Sequence, residues 1–179
     1  MKKGKRICFY GAAGSGKTTL ASKIFVDLKI EGFDVAYVPE WIKQWAIQGK
    51  FPTSHQQLFV FANQQNDEDE LLPFVDGIIT DSPLLMNAAY SQHYGYRGAS
   101  AIIELSNLFE QDYPGIHFWI ERKHAYRTEG RYQSEEEALK IGESIKSLMK
   151  NNLPAKRTWY DLSYEDVLNR CREYLEIKS

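Results

Sequence analysis

Cysteine is scarce in this 179-residue chain: Cys8 and Cys171 are the two present. They are too few and too far apart for a disulfide framework, which excludes a small stapled secreted fold and predicts a reduced, cytoplasmic protein. No apolar run approaches the roughly 20 residues that cross a bilayer, so no membrane partner is expected. Neither sign of charge dominates: 22 Lys and Arg face 24 Asp and Glu, a net charge of −2 with a sequence pI near 6.1. That balance argues against wholesale electrostatic binding to nucleic acid and leaves only a local basic groove. The four histidines, His55, His93, His117 and His124, show no metal-ligand spacing. Repeats, low-complexity tracts and a linker are missing too, and residues 1–179 read as a single domain. The lysines of Met1-Lys2-Lys3-Gly4-Lys5-Arg6 read as a solvated lead-in, because the apolar stretch after them is too short for a secretory signal.

Glycine is present where it matters. Gly11-Ala12-Ala13-Gly14-Ser15-Gly16-Lys17-Thr18 matches G-x-x-x-x-G-K-[ST] at every fixed position, after the apolar run Ile7-Cys8-Phe9-Tyr10 and before a helix-like segment. Strand, loop and helix in that order make a phosphate-binding loop. Its glycines let backbone N–H groups turn around polyphosphate oxygens, with the positive helix end aimed at the same place. Lys17 adds a cation for the β and γ phosphates, and the Thr18 hydroxyl is the expected direct ligand of Mg²⁺. Residues 11–19, including Thr19 in the first helical turn, are therefore expected to bind ATP with Mg²⁺.

The remaining pattern alternates strands with helices. Apolar residues at helical spacing run through Leu20, Ala21, Ile24, Phe25 and Leu28, closed by Gly32. Residues 34–38 read as a second strand ending at Pro39-Glu40, 41–48 as a short helix, and 49–52 as a turn. Thr53 or Ser54 would cap a helix carrying Leu58, Phe61, Ala62 and Gln65, running into a solvated acidic face at Asp67-Glu68-Asp69-Glu70. Residues 75–81 read as a buried strand, 84–93 and 100–111 as helices, 116–120 as a strand. A capping box at Ser134 and Glu137 starts another helix, 157–162 is a strand, and a last helix begins at Ser163 with Asp166 as its capping partner. This order predicts an α/β fold, a three-layer parallel sheet flanked by helices, with the phosphate loop at the end of its first strand. In such sheets ligands sit beyond the carboxyl ends of the strands, where Gly11, Glu40, Asp81 and Arg122 converge.

Phosphoryl transfer needs cations around the moving group and a carboxylate near the acceptor. Arg122, Arg127 and Arg131, between a strand and a helix, read as the arginines of a flexible lid over residues 122–133, with Arg127 and Arg131 contacting phosphate and Arg122 near the acceptor or anchoring the strand end. Asp81 ends an apolar strand, suited either to Mg²⁺ or to capping the helix that Ser82-Pro83 introduces. Glu40 is placed to accept a proton from an acceptor hydroxyl. Trp41, beside it, is the first candidate among Trp41, Trp45, Phe61, Tyr90, Tyr94 and Tyr96 to stack on a planar base.

Val38-Pro39-Glu40-Trp41-Ile42-Lys43-Gln44-Trp45 resembles the deoxyribonucleoside kinase family, whose second strand ends in a Glu-Pro-Val-x-x-Trp-like pattern with the Glu as catalytic base. Phe61-Ala62-Asn63-Gln64-Gln65 is similar to that family's helix in which a glutamine reads the nucleobase, implying that role for Gln64. Asp81-Ser82 stands where the family has [Asp/Glu]-Arg-Ser, without the arginine. The chain also resembles the ribosylnicotinamide kinase domain of bacterial NAD-biosynthesis proteins, through its phosphate loop, the acidic residue after strand two, the aspartate ending strand three and the lid ahead of a helix. Together these imply an ATP- and Mg²⁺-dependent kinase of a nucleoside or nucleotide. Two alternatives stand beside it. One is a kinase acting on a nucleic-acid strand end or modified base, guided by Lys150, Lys156 and Arg157; the other is a regulatory NTPase, although the Asn-Lys-x-Asp guanine signature is missing. A homodimer is compatible with the sequence.

Overall fold

The computed structural model describes residues 4–126 and 133–177. Five parallel strands lie in the order β2-β3-β1-β4-β5: β1 (Lys5–Tyr10), β2 (Val35–Val38), β3 (Gly77–Thr80), β4 (Gly115–Trp119) and β5 (Thr158–Tyr160). Helices α1 (Lys17–Ile30) and α7 (Tyr164–Glu176) cover one face. On the other lie α3 (Gln56–Asp69), α4 (Met86–His93), α5 (Ala99–Asp112) and α6 (Glu135–Asn152), while the short α2 (Lys43–Ile47) follows β2. This is the three-layer α/β fold that the alternation of elements predicts.

Strand alternation assigns the two cores. Ile7 and Phe9 of β1 pack toward α1 and α7 with Ile79, Ile116 and Phe118, while Cys8 and Tyr10 pack toward α4 and α6 with Ile78 and Trp119. Successive side chains thus enter opposite layers, which is why the central strands read as continuous apolar runs. Helix capping follows the sequence closely at two places. The Ser134 hydroxyl accepts from the Glu137 N–H at 3.2 Å while the Glu137 carboxylate takes the Ser134 N–H at 2.8 Å, and Ser163 caps α7 through the Asp166 N–H.

Other expectations shift. The α3 N-cap is His55, and its side chain makes no cap bond; the Thr53 N–H instead donates to Gln56 Oε1 at 2.9 Å. The buried face of α3 is Gln57, Val60, Phe61, Gln64 and Glu68, and Ala62 is exposed. Apolar periodicity missed this face because three of its members are polar. Lys5 is not a solvated lead-in: it begins β1, and its ammonium donates to the carbonyls of Tyr174, Leu175 and Ile177 at the end of α7, cations being favoured there by the helix dipole.

The acidic run is likewise not all solvated. Glu68 is fully buried, and its Oε2 accepts from Arg6 Nε at 2.8 Å; Arg6 Nη1 reaches Glu110 Oε2 at 3.0 Å, and its guanidinium lies over the Phe109 ring. Glu110 Oε1 also accepts from the Gly115 N–H and lies 3.1 Å from His117 Nε2. Burial pushes the Glu68 carboxyl up despite Arg6. For Glu110, burial is outweighed by His117, Arg6 and the Gly115 N–H, which hold the carboxyl below its usual value. Burial also holds the His117 imidazole below its ordinary value, against the pull of Glu110.

Removing one charge from a buried network leaves the others uncompensated, which is more costly than losing an exposed pair. Arg6→Met is expected to destabilise the fold by about 3–5 kcal/mol, measured by urea unfolding. Arg172→Met, which removes the exposed pair with Glu31, should cost at most about 1 kcal/mol.

Candidate nucleotide and acceptor site

The parallel registers set the site. Cys8 and Val38 both align with Thr80, so the chain leaving β1, β2 and β3 emerges on one edge. Gly11 to Thr18 follow β1, Glu40 lies two residues past β2, and Asp81 directly follows β3. A carbon at the Cβ position of Gly11 would lie 2.7 Å from the Ile120 carbonyl, which leaves room only for glycine at this close approach to the end of β4. Gly16, the N-cap of α1, has φ 91° and no side chain, so the first helical turn has no side-chain cap and its N–H groups face the loop. The Lys17 ammonium donates to the carbonyls of Gly11 at 2.9 Å and Ala12 at 3.1 Å, arching back over the loop.

The Thr18 hydroxyl donates to Asp81 Oδ2. Asp81 Oδ1 is buried and has no hydrogen-bond partner. A hydroxyl bonded to one oxygen of a carboxylate whose other oxygen has no hydrogen-bond partner fits Mg²⁺, which takes one or two protein oxygens and keeps its waters. The capping alternative for Asp81 is excluded, since α4 begins at Met86 with Leu85 at its N-cap. Among the described residues no group of three or more His, Cys, Asp and Glu side chains is arranged to hold a metal ion.

A cavity of about 450 Å³ opens beside the loop. Lys17, Thr18, Asp81 and Glu40 line one end. The protein packed around Glu40 pushes its carboxyl above the usual value, Lys17 and Lys43 pull it back, and Asp81 adds to the push. Away from the loop the walls mix polar side chains such as Gln57 and Asn87 with apolar ones such as Phe51, Val60 and Met86, and Glu137 adds a carboxylate. Gln57 Nε2 donates to Asn87 Oδ1 at 2.7 Å, and Asn87 Nδ2 donates to the Leu84 carbonyl at 3.2 Å. The Tyr94 and Tyr96 rings stack 5.6 Å apart, and the Tyr96 hydroxyl donates to the Pro52 carbonyl at 2.6 Å.

A family model described as an AAA domain matches residues 6–170. The chain belongs to this AAA-domain family. Its membership accounts for the phosphate loop and the parallel sheet, and makes nucleoside triphosphate the ligand class of the loop. A search of curated proteins returns no match. Among the described residues no helix of this AAA domain is long and apolar enough to cross a membrane.

Several residues singled out in the sequence sit apart from the cavity. Trp41 does not line it; its ring meets Trp45 at 5.6 Å and Phe59 at 5.3 Å in an aromatic cluster between α2 and α3. Arg122 donates to Glu135 Oε1 at 2.7 Å and lies against the Tyr126 ring, which ties the segment after β4 to the start of α6. Gln64 lines the cavity, with its carboxamide bonded to backbone. Arg127 and Arg131 lie outside the described residues. Lys43, Gln57 and Asn87 join the wall of the AAA domain without having been anticipated, and Glu137 lines it as well as capping α6. A signal for Gln57 and Gln64 exists in their seven-residue spacing, which places both on one side of α3.

Asp81→Asn keeps an oxygen for the Thr18 hydroxyl while removing the charge. It is expected to weaken the Mg²⁺-dependent part of ATP affinity about 10–100-fold, with affinity in EDTA unchanged, as read by calorimetric titration.

Proposed function

We propose that this AAA domain is an ATP-dependent kinase that phosphorylates a hydroxyl of a small acceptor, a nucleoside or nucleotide, in the cavity beside its phosphate loop. The observation that carries this reading is Glu40: its carboxylate shares one cavity with Lys17, Thr18 and Asp81, and the cavity extends well beyond what the loop itself needs. Simple hydrolysis needs room only for water. Carboxamides and tyrosines on the far wall suit a guest with a planar, hydrogen-bonding head and an apolar face. Lys17 and Lys43 are the cations among the described lining residues, which favours an uncharged nucleoside over its monophosphate.

Thr18 and Asp81 would hold Mg²⁺, whose charge would offset that of the β and γ phosphates. Lys17 adds a second positive charge at the same place. The acceptor oxygen attacks the γ phosphorus, the bond from that phosphorus to the β,γ-bridging oxygen breaks, ADP leaves, and the hydroxyl proton passes to Glu40. A carboxyl held above its ordinary value binds that proton better than a solvated one.

The basic residues that would guide a nucleic acid lie elsewhere. Arg157 and Lys156 directly precede β5, at the amino edge of the sheet, and Arg157 is 3.4 Å from Glu110. Lys150 is near the far end of α6 from Glu137. A small acceptor is the better fit.

ATP-dependent phosphate transfer should be screened across ribonucleosides, deoxyribonucleosides, their monophosphates, nicotinamide riboside and hydroxymethylated DNA. Nucleosides are expected to be turned over best, with weak salt dependence. Glu40→Gln should lower kcat about 100–10,000-fold and leave ATP affinity nearly unchanged. Glu40 must be ionised to accept the proton, so activity falls as pH drops through its raised value. The acidic limb of kcat/KM therefore lies above the ordinary carboxylate value of 4.5 and vanishes in Glu40→Gln. ATP turnover at full rate with no acceptor present would replace transfer by hydrolysis.

A further inference from the structure

Gln64 is 1% exposed, on the side of α3 that faces the cavity. Both polar atoms of its carboxamide have partners. Oε1 accepts the Trp41 N–H at 2.9 Å, and Nε2 donates to the Pro39 carbonyl at 3.3 Å. Those groups belong to the two peptide bonds that bracket the Cα of Glu40. One planar amide therefore grips both peptide planes around that carbon, and with them the φ and ψ that set where the Glu40 side chain leaves the backbone. The strand ladder does not do this, because β2 ends at Val38, paired with Thr80. The other bond bracing the turn runs from the Lys43 N–H to the Glu40 carbonyl at 3.1 Å. Seven residues earlier, Gln57 directs its own carboxamide to the side chain of Asn87.

The geometry points to Gln64 as a positioning residue for phosphoryl transfer: it holds Glu40 in line through the backbone and does not touch the acceptor. This rests on Glu40 being the group that takes the acceptor's proton. With one lone pair and one N–H committed to residues 41 and 39, the amide plane is fixed by the backbone it holds. Proton acceptance is also demanding in geometry, with a working distance of about 2.6–3.2 Å. A side chain displaced by about 1 Å loses on the order of 100-fold in rate.

The test is Gln64→Met, which keeps length and packing and removes both hydrogen bonds. Transfer from ATP to the best nucleoside of the panel should fall on the order of 100-fold in kcat, with acceptor KM and ATP affinity little changed. In the acceptor-free protein, the Glu40 carboxyl followed by ¹³C NMR should titrate closer to 4.5 than in the parent, since a released side chain regains solvent. Added to Glu40→Gln, the same substitution should cost nothing further, because residues acting as a unit are not additive. Should Gln64→Met fail to fold, Gln64→Glu serves: burial favours its protonated form, which accepts from Trp41 and donates to Pro39, so transfer should stay near the parent rate at low pH and fall as the pH rises and the bond to Pro39 is lost.

A raised acceptor KM or an altered choice among nucleosides at unchanged kcat would overturn the proposal in favour of direct contact. An equal further loss in the Glu40→Gln background would assign Gln64 to general stability. Full transfer by Glu40→Gln alone is a separate result, which removes the role of Glu40 itself.

Discussion

A parallel sheet covered on both faces leaves its charged groups only two places to go, the amino edge and the carboxyl edge. The rest of this structure follows from that constraint. Ile7, Phe9, Ile78, Ile79 and Phe118 occupy the interior, where an isolated charge would be prohibitively costly. At the amino edge, Arg6 meets Glu68 and Glu110 in a closed network. At the carboxyl edge, Lys17, Glu40 and Asp81 meet around a cavity instead. The same residue types are structural at one edge because their partners are protein, and chemically available at the other because space remains beside them.

Helix α3 joins the two edges. Fourteen residues at 1.5 Å each make it about 21 Å long, enough to run alongside the sheet from cavity to ion network. Gln57, Gln64 and Glu68 share its buried face and engage, in turn, the α4 side chain of Asn87, the loop after β2, and Arg6. Each is held by at least one hydrogen bond across the interface. One helix thus contributes to the cavity wall, to the placement of Glu40 and to the anchoring of β1.

The cavity is electrostatically mixed, with Lys17 and Lys43 set against Glu40, Asp81 and Glu137. Lys17 is held by the carbonyls of Gly11 and Ala12, and one Asp81 oxygen has no hydrogen-bond partner. Glu40 faces Lys17 and Lys43 on one side and Asp81 on the other, so its proton affinity responds directly to what occupies the loop.

The nucleotide half of the site was legible in the residues themselves, because the phosphate loop works through backbone N–H groups and needs glycines at particular places in a continuous segment. The order of strands and the two capped helices were legible for the same reason: they rest on neighbours a few residues apart. Glu40 and Asp81 were legible as strand-end carboxylates. What lines the rest of the cavity was not, since Lys43, Gln57, Asn87 and Glu137 come from four helices and no local pattern links them. Nor was the true environment of Glu68, Trp41 and Gln64, each read from the side of the chain it lies on and decided by what packs against it. Sequence alone determined the local chemistry of the phosphate loop and the α/β alternation, which need only short-range geometry. Which polar side chains are spent on the fold and which are left for a guest was decided by tertiary packing, because that depends on partners far away along the chain, such as Trp41 for Gln64, 23 residues apart, and Glu110 for Arg6, 104 residues apart.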